Sequence, residues 1–373
     1  MQISAVKENF NYENRVALTP DTIKLFQRLG LEVLIEDGAG NNSGYPNDLY
    51  EANGAKIVSR DQCLNANICL CVKIPNDNDL QKLNENTVLI GILNPYENKK
   101  YFNTLNEKKI ISCCMELIPR NSRAQSMDVL SSQANLAGYR SVIDAAEQFG
   151  KAFPMMMTAA GRVNPAKVMV LGVGVAGLQA IATAKRLGAV VSATDVRSAT
   201  KEQVESLGGK FIMVEDEEST NAETEGGYAK EMSEEYKQKQ AKLIAETIAK
   251  QDIVICTALI PGKRAPVLIS QEMVESMAPG SVVVDLAVEA GGNCPLSKEG
   301  EVVDHGGVKI VGYANVPGRV AKDASALYAK NIFNFLSLII NKDDKKINFN
   351  WEDEIVNAVT LTHEGKLRLE QFN

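Results

Sequence analysis

Short apolar runs alternate with helix-like stretches along the first third of the chain. Thr19 followed by Pro20 predicts the start of the first helix, and Gly30 predicts its end. Short apolar strands separated by helical patterns are typical of a parallel α/β sheet. The strand-like runs are "ISAVKE", "LEVLIED", "NICLCVK", "TVLIGIL" and "IISCCMEL".

A long helical pattern begins at Ser131, and a second α/β series follows it. An apolar helix near Ser325 to Ile340 then precedes a charged tail. We expect a domain of residues 131–320 inserted into a first domain of residues 1–130 plus 321–373, which the late helix closes. The predicted fold class is α/β, with two Rossmann-like doubly wound parallel-sheet domains and a cleft between them.

Residues 215–240 form an acidic stretch that interrupts a strand–helix–strand crossover. Segments of this length inside a compact domain are usually lids or disordered loops. A solvated acidic loop remains one alternative. Tyr228 and Met232, four residues apart at its far end, are side chains that a purely solvating loop does not need.

Composition narrows the classes of function. The chain has 373 residues, 45% of them apolar, and a net charge of -7, which disfavours a nucleic acid or an anionic membrane as partner. The N-terminus lacks the pattern of a secretory signal, and the late apolar stretch is too short and too polar to span a bilayer. The seven cysteines lack CxxC spacing and nearby histidines, so we expect buried reduced thiols and no metal site.

The sequence "VMVLGVGVAGLQAIATAKRLGA" carries the strongest motif of the chain, G-x-G-x-x-G at Gly172, Gly174 and Gly177. An apolar strand precedes it and a helix follows, as in dinucleotide-binding folds. The first glycine permits a tight turn, the second lets the backbone approach the pyrophosphate, and the third lets helix and strand pack closely.

The next strand ends in Asp195, where an acid accepts hydrogen bonds from the adenosine ribose. Its charge repels a 2'-phosphate, so we expect NAD(H) to be preferred over NADP(H). Arg197 leaves open either contact with a phosphate, packing over the adenine or full solvation.

Histidine is scarce, which bears on the chemistry. Alcohol or amine oxidation needs a positioned base, whereas hydride transfer between two carbon centres needs only alignment and exclusion of water. His305, beside a glycine turn, and His363, in the polar tail, are both expected to be surface residues. Because lysine or aspartate can also act as a base, the shortage is only suggestive.

Several motifs together resemble one superfamily. "ENRVALTP", "CVKIP", "ATDVR" and "VVDLAVEAGGN" resemble the alanine dehydrogenase and transhydrogenase superfamily. "PRNSRAQSMDVLSSQANLAGYR", "GGYAKEM", "TALIPGKRAPVLI" and "VEAGGNCPLS" resemble the NAD(H)-binding component, domain I, of proton-translocating NAD(P) transhydrogenases. The resemblance covers essentially the whole chain.

That resemblance implies a loop in which Arg120, Gln125 and Asp128, with Ser131 beside them, hold the nicotinamide in position for hydride transfer. Helix capping explains Asp128 and Ser131 equally well. It does not explain Arg120 and Gln125.

It also implies a mobile loop whose Tyr228 and Met232 fold over the nucleotide, with Gly227 and Leu259 lining the pocket. The remaining cofactor-binding positions expected around the fingerprint are Val175 and Val196.

The alanine dehydrogenase branch is the main alternative. Its substrate-binding arginine and lysine correspond to Arg15 and Lys73, but Asn94 stands where that branch has a catalytic histidine, and Glu289 replaces its acid. Asparagine cannot shuttle a proton at neutral pH. We therefore interpret Arg15 and Lys73 as inherited residues that are now structural.

The function implied is that of the NAD(H)-binding alpha subunit of an NAD(P)+ transhydrogenase, Re/Si-specific and proton-translocating. It would pass hydride from NADH to NADP+ on a separate NADP(H)-binding domain, coupled to proton movement by a membrane proton-channel subunit. The resemblance implies a homodimer and a cytoplasmic protein, peripheral on the inner membrane through its partners. A non-catalytic NAD sensor or scaffold is a third hypothesis.

Overall fold

The computed structural model describes residues 1–214, 233–259, 262–341 and 343–372. The chain divides into two compact units. Unit 1 comprises Met1–Gln133 and Pro317–Asn373, and unit 2 comprises Ala134–Val316. In sequence, unit 2 is thus an insertion into unit 1.

The strands are short, as the apolar runs predict. In chain order they are β1 (Gln2–Ala5), β2 (Glu32–Glu36), β3 (Lys56–Val58), β4 (Ile68–Lys73), β5 (Val88–Ile92), β6 (Ile111–Cys114), β7 (Met156–Thr158), β8 (Gly161–Val163), β9 (Lys167–Leu171), β10 (Val190–Thr194), β11 (Lys210–Phe211), β12 (Ile253–Cys256), β13 (Val282–Asp285), β14 (Val302–His305), β15 (Val308–Val311), β16 (Thr360–His363) and β17 (Lys366–Leu367).

Helices connect the parallel strands. Among the described residues they are α1 (Ile23–Arg28), α2 (Asn47–Ala52), α3 (Arg60–Leu64), α4 (Asp77–Lys82), α5 (Phe102–Glu107), α6 (Val129–Gln148), α7 (Val175–Arg186), α8 (Thr200–Ser206), α9 (Glu234–Ile248), α10 (Gln271–Glu275), α11 (Ala321–Ile339) and α12 (Glu354–Val359). The predicted start of the first helix is confirmed: Thr19 precedes a 3-10 turn, Pro20–Thr22, that leads directly into α1, and Gly30, next to the C-cap residue Leu29, has a φ of 82°.

In the portion of unit 1 that the structure describes, the sheet has the order β17-β16-β6-β5-β4-β1-β2-β3. The strands from β1 to β6 pair in parallel, whereas β16 runs antiparallel to β6. Strand β4 is buried along nearly its whole length because helices cover both faces of a parallel sheet. Helix α11 packs its apolar side into the core of this unit through Tyr328, Ile332 and Phe335.

The sheet of unit 2, counted over its described residues, has the order β11-β10-β9-β12-β13-β15-β14. Strand β9 lies between β10 and β12 and pairs in parallel with both. The chain therefore reverses its direction of travel across the sheet beside β9, and ligands of doubly wound sheets bind at such a point, outside the carboxyl ends of the strands. The predicted α/β class with two doubly wound, mainly parallel sheets is confirmed.

Two segments form short strands that the sequence pattern does not mark. In the charged tail, β16 extends the sheet of unit 1 by pairing with β6, and β17 pairs with β16. His305, expected in a turn beside glycines, is the last residue of β14 and directly precedes the turn at Gly306 and Gly307 in the antiparallel hairpin between β14 and β15. Among the described strands, β17 and β14 lie at the edges of their sheets and mix polar and apolar residues, so their sequences resemble loops.

Candidate functional site

The loop between β9 and α7 can accommodate a dinucleotide phosphate. Gly172 has a φ of 96°, a left-handed conformation that favours glycine. A Cβ on Gly177 would lie 2.0 Å from the carbonyl oxygen of Gly172, so only glycine lets the helix approach the strand this closely. A Cβ on Gly174, by contrast, would meet nothing within 4 Å, and Gly174 is the N-cap of α7. The space in front of Gly174 is therefore open to a phosphate, which a helix N-terminus attracts.

Thr257, just after β12, fixes this loop from the neighbouring strand. Its Oγ1 lies 2.9 Å from the carbonyl oxygen of Gly172 and 3.3 Å from that of Leu171, and its hydroxyl donates to them. A Cβ on Gly172 would lie 2.8 Å from the same Oγ1. Thr257 opens the "TALIPGKRAPVLI" motif but was not singled out as a site residue from the sequence. The one signal in the sequence is a hydroxyl residue directly after the strand that neighbours the glycine loop.

Asp195 follows β10 and is surrounded by donors. Its Oδ2 accepts the backbone N–H of Val173 at 2.7 Å, and its Oδ1 accepts the backbone N–H and Nε of Arg197, both at 2.9 Å. Burial alone would raise the pKa of the Asp195 carboxyl, but the Arg197 guanidinium and the backbone N–H groups outweigh burial and lower it. The carboxylate is thus ionised and preorganised. The ion pair between the Arg197 guanidinium and Asp195 is none of the alternatives expected for Arg197 from the sequence.

Exposed apolar side chains surround the carboxyl ends of these strands. Val175 opens α7 and is 41% exposed, Val196 follows Asp195 and is 82% exposed, and Leu259 follows β12 and is 57% exposed. Exposed apolar clusters of this kind often mark ligand-binding surfaces. All three were expected from the sequence as nucleotide contacts, and they lie in the segments that follow β9 and its two neighbours, β10 and β12.

In unit 1, the polar loop of residues 119–128 is held by contacts at both flanks. The Arg123 guanidinium pairs with Asp353, the N-cap of α12, and the Asn121 amide donates to Glu354. Asn331 and Asn334 of α11 both donate to the carbonyl oxygen of Ser126, at 2.8 and 2.9 Å. The loop therefore presents its remaining side chains from a fixed backbone.

Those remaining side chains divide into two classes. Asp128 caps α6, because its Oδ1 accepts the Ser131 backbone N–H at 2.9 Å and its Oδ2 accepts the Ser131 hydroxyl at 2.5 Å. Arg120 and Gln125 are exposed, and among the described residues neither side chain has a hydrogen-bond partner. Capping thus accounts for Asp128 and Ser131, and it leaves Arg120 and Gln125 free to bind a ligand.

Three expected site residues cannot be placed. Gly227, Tyr228 and Met232 lie outside the described residues.

The residues expected from the motifs to correspond to substrate ligands of alanine dehydrogenases lie within unit 1. The Arg15 guanidinium is buried; it pairs with Glu13 through Nε and Nη2 and donates through Nη1 to Gln133 at 2.9 Å. Lys73 ends β4 and lines a pocket of about 120 Å³ together with Glu8. Arg15 thus serves the packing of unit 1 in this structure.

Asn94 also has hydrogen-bond partners within unit 1. It has a φ of 45°, a conformation that asparagine tolerates better than most residues, and its side chain donates to Glu97 at 2.7 Å. Its backbone N–H donates to the carboxylate of Glu116. In unit 2, Glu289 accepts the backbone N–H of Asn315 at 2.8 Å.

The cysteines and histidines show no catalytic arrangement in the described portion of the chain. The expected burial of the cysteines is confirmed, and all seven are free thiols whose burial raises their pKa values. No group of three or more potential metal ligands occurs among the described residues. His305 contacts Glu275, and His363 is half-buried against Trp351. None of the helices described here has the length and apolar character needed to cross a bilayer.

Comparison with known families assigns the chain as a whole. The model of the alanine dehydrogenase/PNT N-terminal domain matches residues 4–137, and that of the C-terminal domain matches residues 141–370. The chain belongs to the alanine dehydrogenase/PNT family. The resemblance expected from the sequence motifs is thereby confirmed.

Within the alanine dehydrogenase/PNT family, the similarity is higher to transhydrogenases. The first part of NAD(P) transhydrogenase subunit alpha from Rhodospirillum rubrum is 55% identical over 374 residues, which cover 98% of this chain and 97% of the relative. The solved structure of transhydrogenase from Sinorhizobium meliloti has 50% identity and a TM-score of 0.90, covering 98% of this chain and 100% of that one. Alanine dehydrogenase 1 of Staphylococcus aureus is 30% identical over 351 residues, 92% of this chain and 88% of the relative.

Proposed function

We propose that this chain is the NAD(H)-binding component of a proton-translocating NAD(P) transhydrogenase. Unit 2 would bind NAD(H), with the pyrophosphate at Gly172, Gly174 and Gly177 and the adenosine ribose at Asp195. NADH supplies the hydride, and NADP+ on a partner domain accepts it. The 55% identity to the Rhodospirillum rubrum transhydrogenase subunit across almost the full length supports this choice over an alanine dehydrogenase.

The observation that carries the proposal is the pair Arg120 and Gln125. Both are exposed on a loop whose backbone is fixed by α11 and α12, and neither side chain has a hydrogen-bond partner among the described residues. Side chains that extend from a fixed backbone and have no partners can bind and orient a nicotinamide ring and its carboxamide, which is what hydride transfer needs. We assign Asp128 and Ser131 to the same task, since the Asp128 carboxylate aligns the Ser131 hydroxyl.

The remaining assignments follow from the family. Tyr228, Met232 and Gly227 would close over the nucleotide with Val175, Val196, Leu259 and Arg197 and exclude water. We further propose a homodimer with a Re/Si-specific reaction. The NADP(H)-binding domain and a membrane proton-channel subunit would be its partners, and through them it would be peripheral on the cytoplasmic side of the inner membrane.

Hydride exchange in a reconstituted mixture tests this function. NADH and a thionicotinamide analogue of NADP+ are mixed with this chain and a purified NADP(H)-binding transhydrogenase domain, and absorbance is followed by stopped flow. We expect rapid exchange only in the complete mixture. Alanine with NAD+ is run in parallel. Reduction of NAD+ by alanine without exchange would support the dehydrogenase alternative, whereas nucleotide binding without either reaction would support the sensor alternative.

Asp128→Asn separates chemistry from helix capping. Asparagine caps helices about as well as aspartate, so the variant should keep its thermal stability to within about 0.5 kcal/mol. It should nevertheless exchange hydride at least about tenfold more slowly, because the Ser131 hydroxyl loses a charged acceptor. Gln125→Asn should also slow exchange, and Gln81→Asn, at an exposed glutamine of α4, is its matched control.

A further inference from the structure

A buried carboxylate at the end of β13 organises the loop that follows it. Asp285 is 0% exposed, and its Oδ1 accepts the backbone N–H of Ala287 at 2.9 Å. Its Oδ2 accepts the backbone N–H groups of Asn293 and Cys294 at 2.9 and 3.0 Å and the Ser297 hydroxyl at 2.6 Å. Four donors on one buried carboxylate fix the backbone on both sides of Asn293.

Asn293, which lies in this fixed loop, in turn holds the segment after β12 in place. Its side chain is also 0% exposed, and Nδ2 donates to the carbonyl oxygens of Ala258 at 2.9 Å and Pro266 at 2.7 Å. Because both partners are acceptors, the amide nitrogen must face them. Its Oδ1 then has no partner in the described part of the chain. Leaving a buried acceptor unpaired costs free energy. The side chain nevertheless keeps this orientation, so its two bonds to the carbonyl oxygens determine where it lies.

The segment held by Asn293 adjoins the glycine loop. Ala258 lies between Thr257, which bonds to the carbonyl oxygen of Gly172, and the exposed Leu259. In the sheet, β12 lies on the side of β9 opposite to β10, the strand that precedes Asp195. A dinucleotide that crosses this point with its adenosine at Asp195 has its nicotinamide half on the β12 side.

From these contacts we propose that Asn293 is a positioning residue for the nicotinamide half of the bound nucleotide. It acts through the backbone of Ala258 and Pro266 and has no part in binding the adenosine half. This inference rests on the proposed function, because it assumes that unit 2 binds NAD(H). It assigns to a buried side chain a role in the selectivity of binding.

The test compares NADH with ADP-ribose, which lacks the nicotinamide, by isothermal titration calorimetry on the full chain. In Asn293→Ala the Kd for NADH should rise about tenfold, as expected for losing the equivalent of one well-placed hydrogen bond. The Kd for ADP-ribose should change less than about twofold. Ser281→Ala, at the opposite end of β13, is the matched control and should change neither.

Asn293→Ser guards against a folding defect. A serine hydroxyl can donate to only one carbonyl, so this variant should give an effect on NADH between those of alanine and the native residue. Equal losses for NADH and ADP-ribose would overturn the proposal, because they would indicate a general defect of unit 2, and so would no loss for either. Failure of the unaltered chain to bind NADH would instead refute the proposed function.

Discussion

Replacing Asp195 by asparagine tests whether this carboxylate recognises the adenosine ribose of a bound nucleotide. In this structure four donors occupy the carboxylate: the backbone N–H groups of Val173 and Arg197, and the Nε and Nη2 atoms of the Arg197 guanidinium. Two ribose hydroxyls can bind only if the guanidinium leaves. Nucleotide binding is therefore expected to exchange an ion pair for two hydrogen bonds.

The size of the effect follows from this exchange. The Arg197 side chain is 44% exposed, so breaking its pair with Asp195 costs only about 0.5–1 kcal/mol. Each hydroxyl bound to a carboxylate stabilises the complex by about 1.5–3 kcal/mol. Asparagine keeps one acceptor oxygen and so loses one of these bonds, but no ion pair has to be broken. The net loss is about 1–2 kcal/mol, or roughly 5- to 30-fold in the Kd for NADH.

The same substitution should act in the opposite direction on NADPH. A 2'-phosphate placed beside Asp195 is repelled by its charge, by about 3 kcal/mol for each pair of unit charges about 5 Å apart at an effective dielectric constant of about 20. Asp195→Asn removes that repulsion and frees Arg197 to pair with the phosphate. The ratio of the Kd for NADPH to that for NADH should fall at least about tenfold.

Calorimetric titration of the native chain and Asp195→Asn with both nucleotides measures this ratio. Asp252→Asn is the matched control, because Asp252 also accepts a backbone N–H and pairs with a lysine. It precedes β12 and so lies at the amino end of the strands, whereas Asp195 lies at their carboxyl end. An unchanged ratio in Asp195→Asn would refute ribose recognition by this carboxylate. An equal shift in the control would attribute the effect to net charge.

Four further substitutions have definite expected outcomes. Gly177→Ala should destabilise unit 2 by at least about 2 kcal/mol, because its Cβ would lie 2.0 Å from the carbonyl oxygen of Gly172. Gly174→Ala should keep its melting temperature, because its Cβ would meet no protein atom within 4 Å, but it should weaken NADH binding at least about tenfold. Burial raises the pKa of Glu8 from 4.5 to about 8, so the free energy of unfolding should fall as pH rises from 4.5 to 8. In denaturant titrations, Glu8→Gln should remove about 1–3 kcal/mol of that fall. The ring centroid of His363 lies 4.7 Å from that of the sole tryptophan, Trp351, so protonation of His363 should quench the tryptophan fluorescence. Because burial lowers the pKa of His363 from 6.5, the midpoint of this quenching should lie below pH 6.5, and the quenching should disappear in His363→Gln.

The sequence predicts the interior of both sheets well, because buried parallel strands are continuous apolar runs. It fails at short strands outside these interiors. Strand β16 consists of Thr360–His363 and is specified by its pairing with β6, about 250 residues earlier in the chain, through the bonds between Thr362 and Ser112. With four residues and one apolar side chain, β16 is too short for its alternation to distinguish it from a loop.

The same contrast applies to the candidate site. The glycines and Asp195 follow from local spacing, because they belong to one strand–helix–strand unit, β9–α7–β10. Thr257 and Asn293 bond to backbone groups of other segments, so their contacts are visible only in the fold. The ion pair of Arg197 with Asp195 is likewise visible only in the structure and is none of the roles expected for Arg197 from the sequence.

The titratable groups of unit 1 bear on whether this chain performs proton transfer. Burial raises the pKa of Glu116 to about 7 and that of Glu8 to about 8, values that suit a general base at neutral pH. Yet the Glu116 carboxylate accepts the backbone N–H groups of Leu93 and Asn94, and the Glu8 carboxylate accepts those of Val72 and Lys73. Both acids therefore hold the ends of strands in place. Because the carboxylate oxygens of Glu116 and Glu8 already accept backbone N–H groups, neither residue is placed as a free general base, which agrees with hydride exchange between two nicotinamides, a reaction that moves no proton at the reacting carbons.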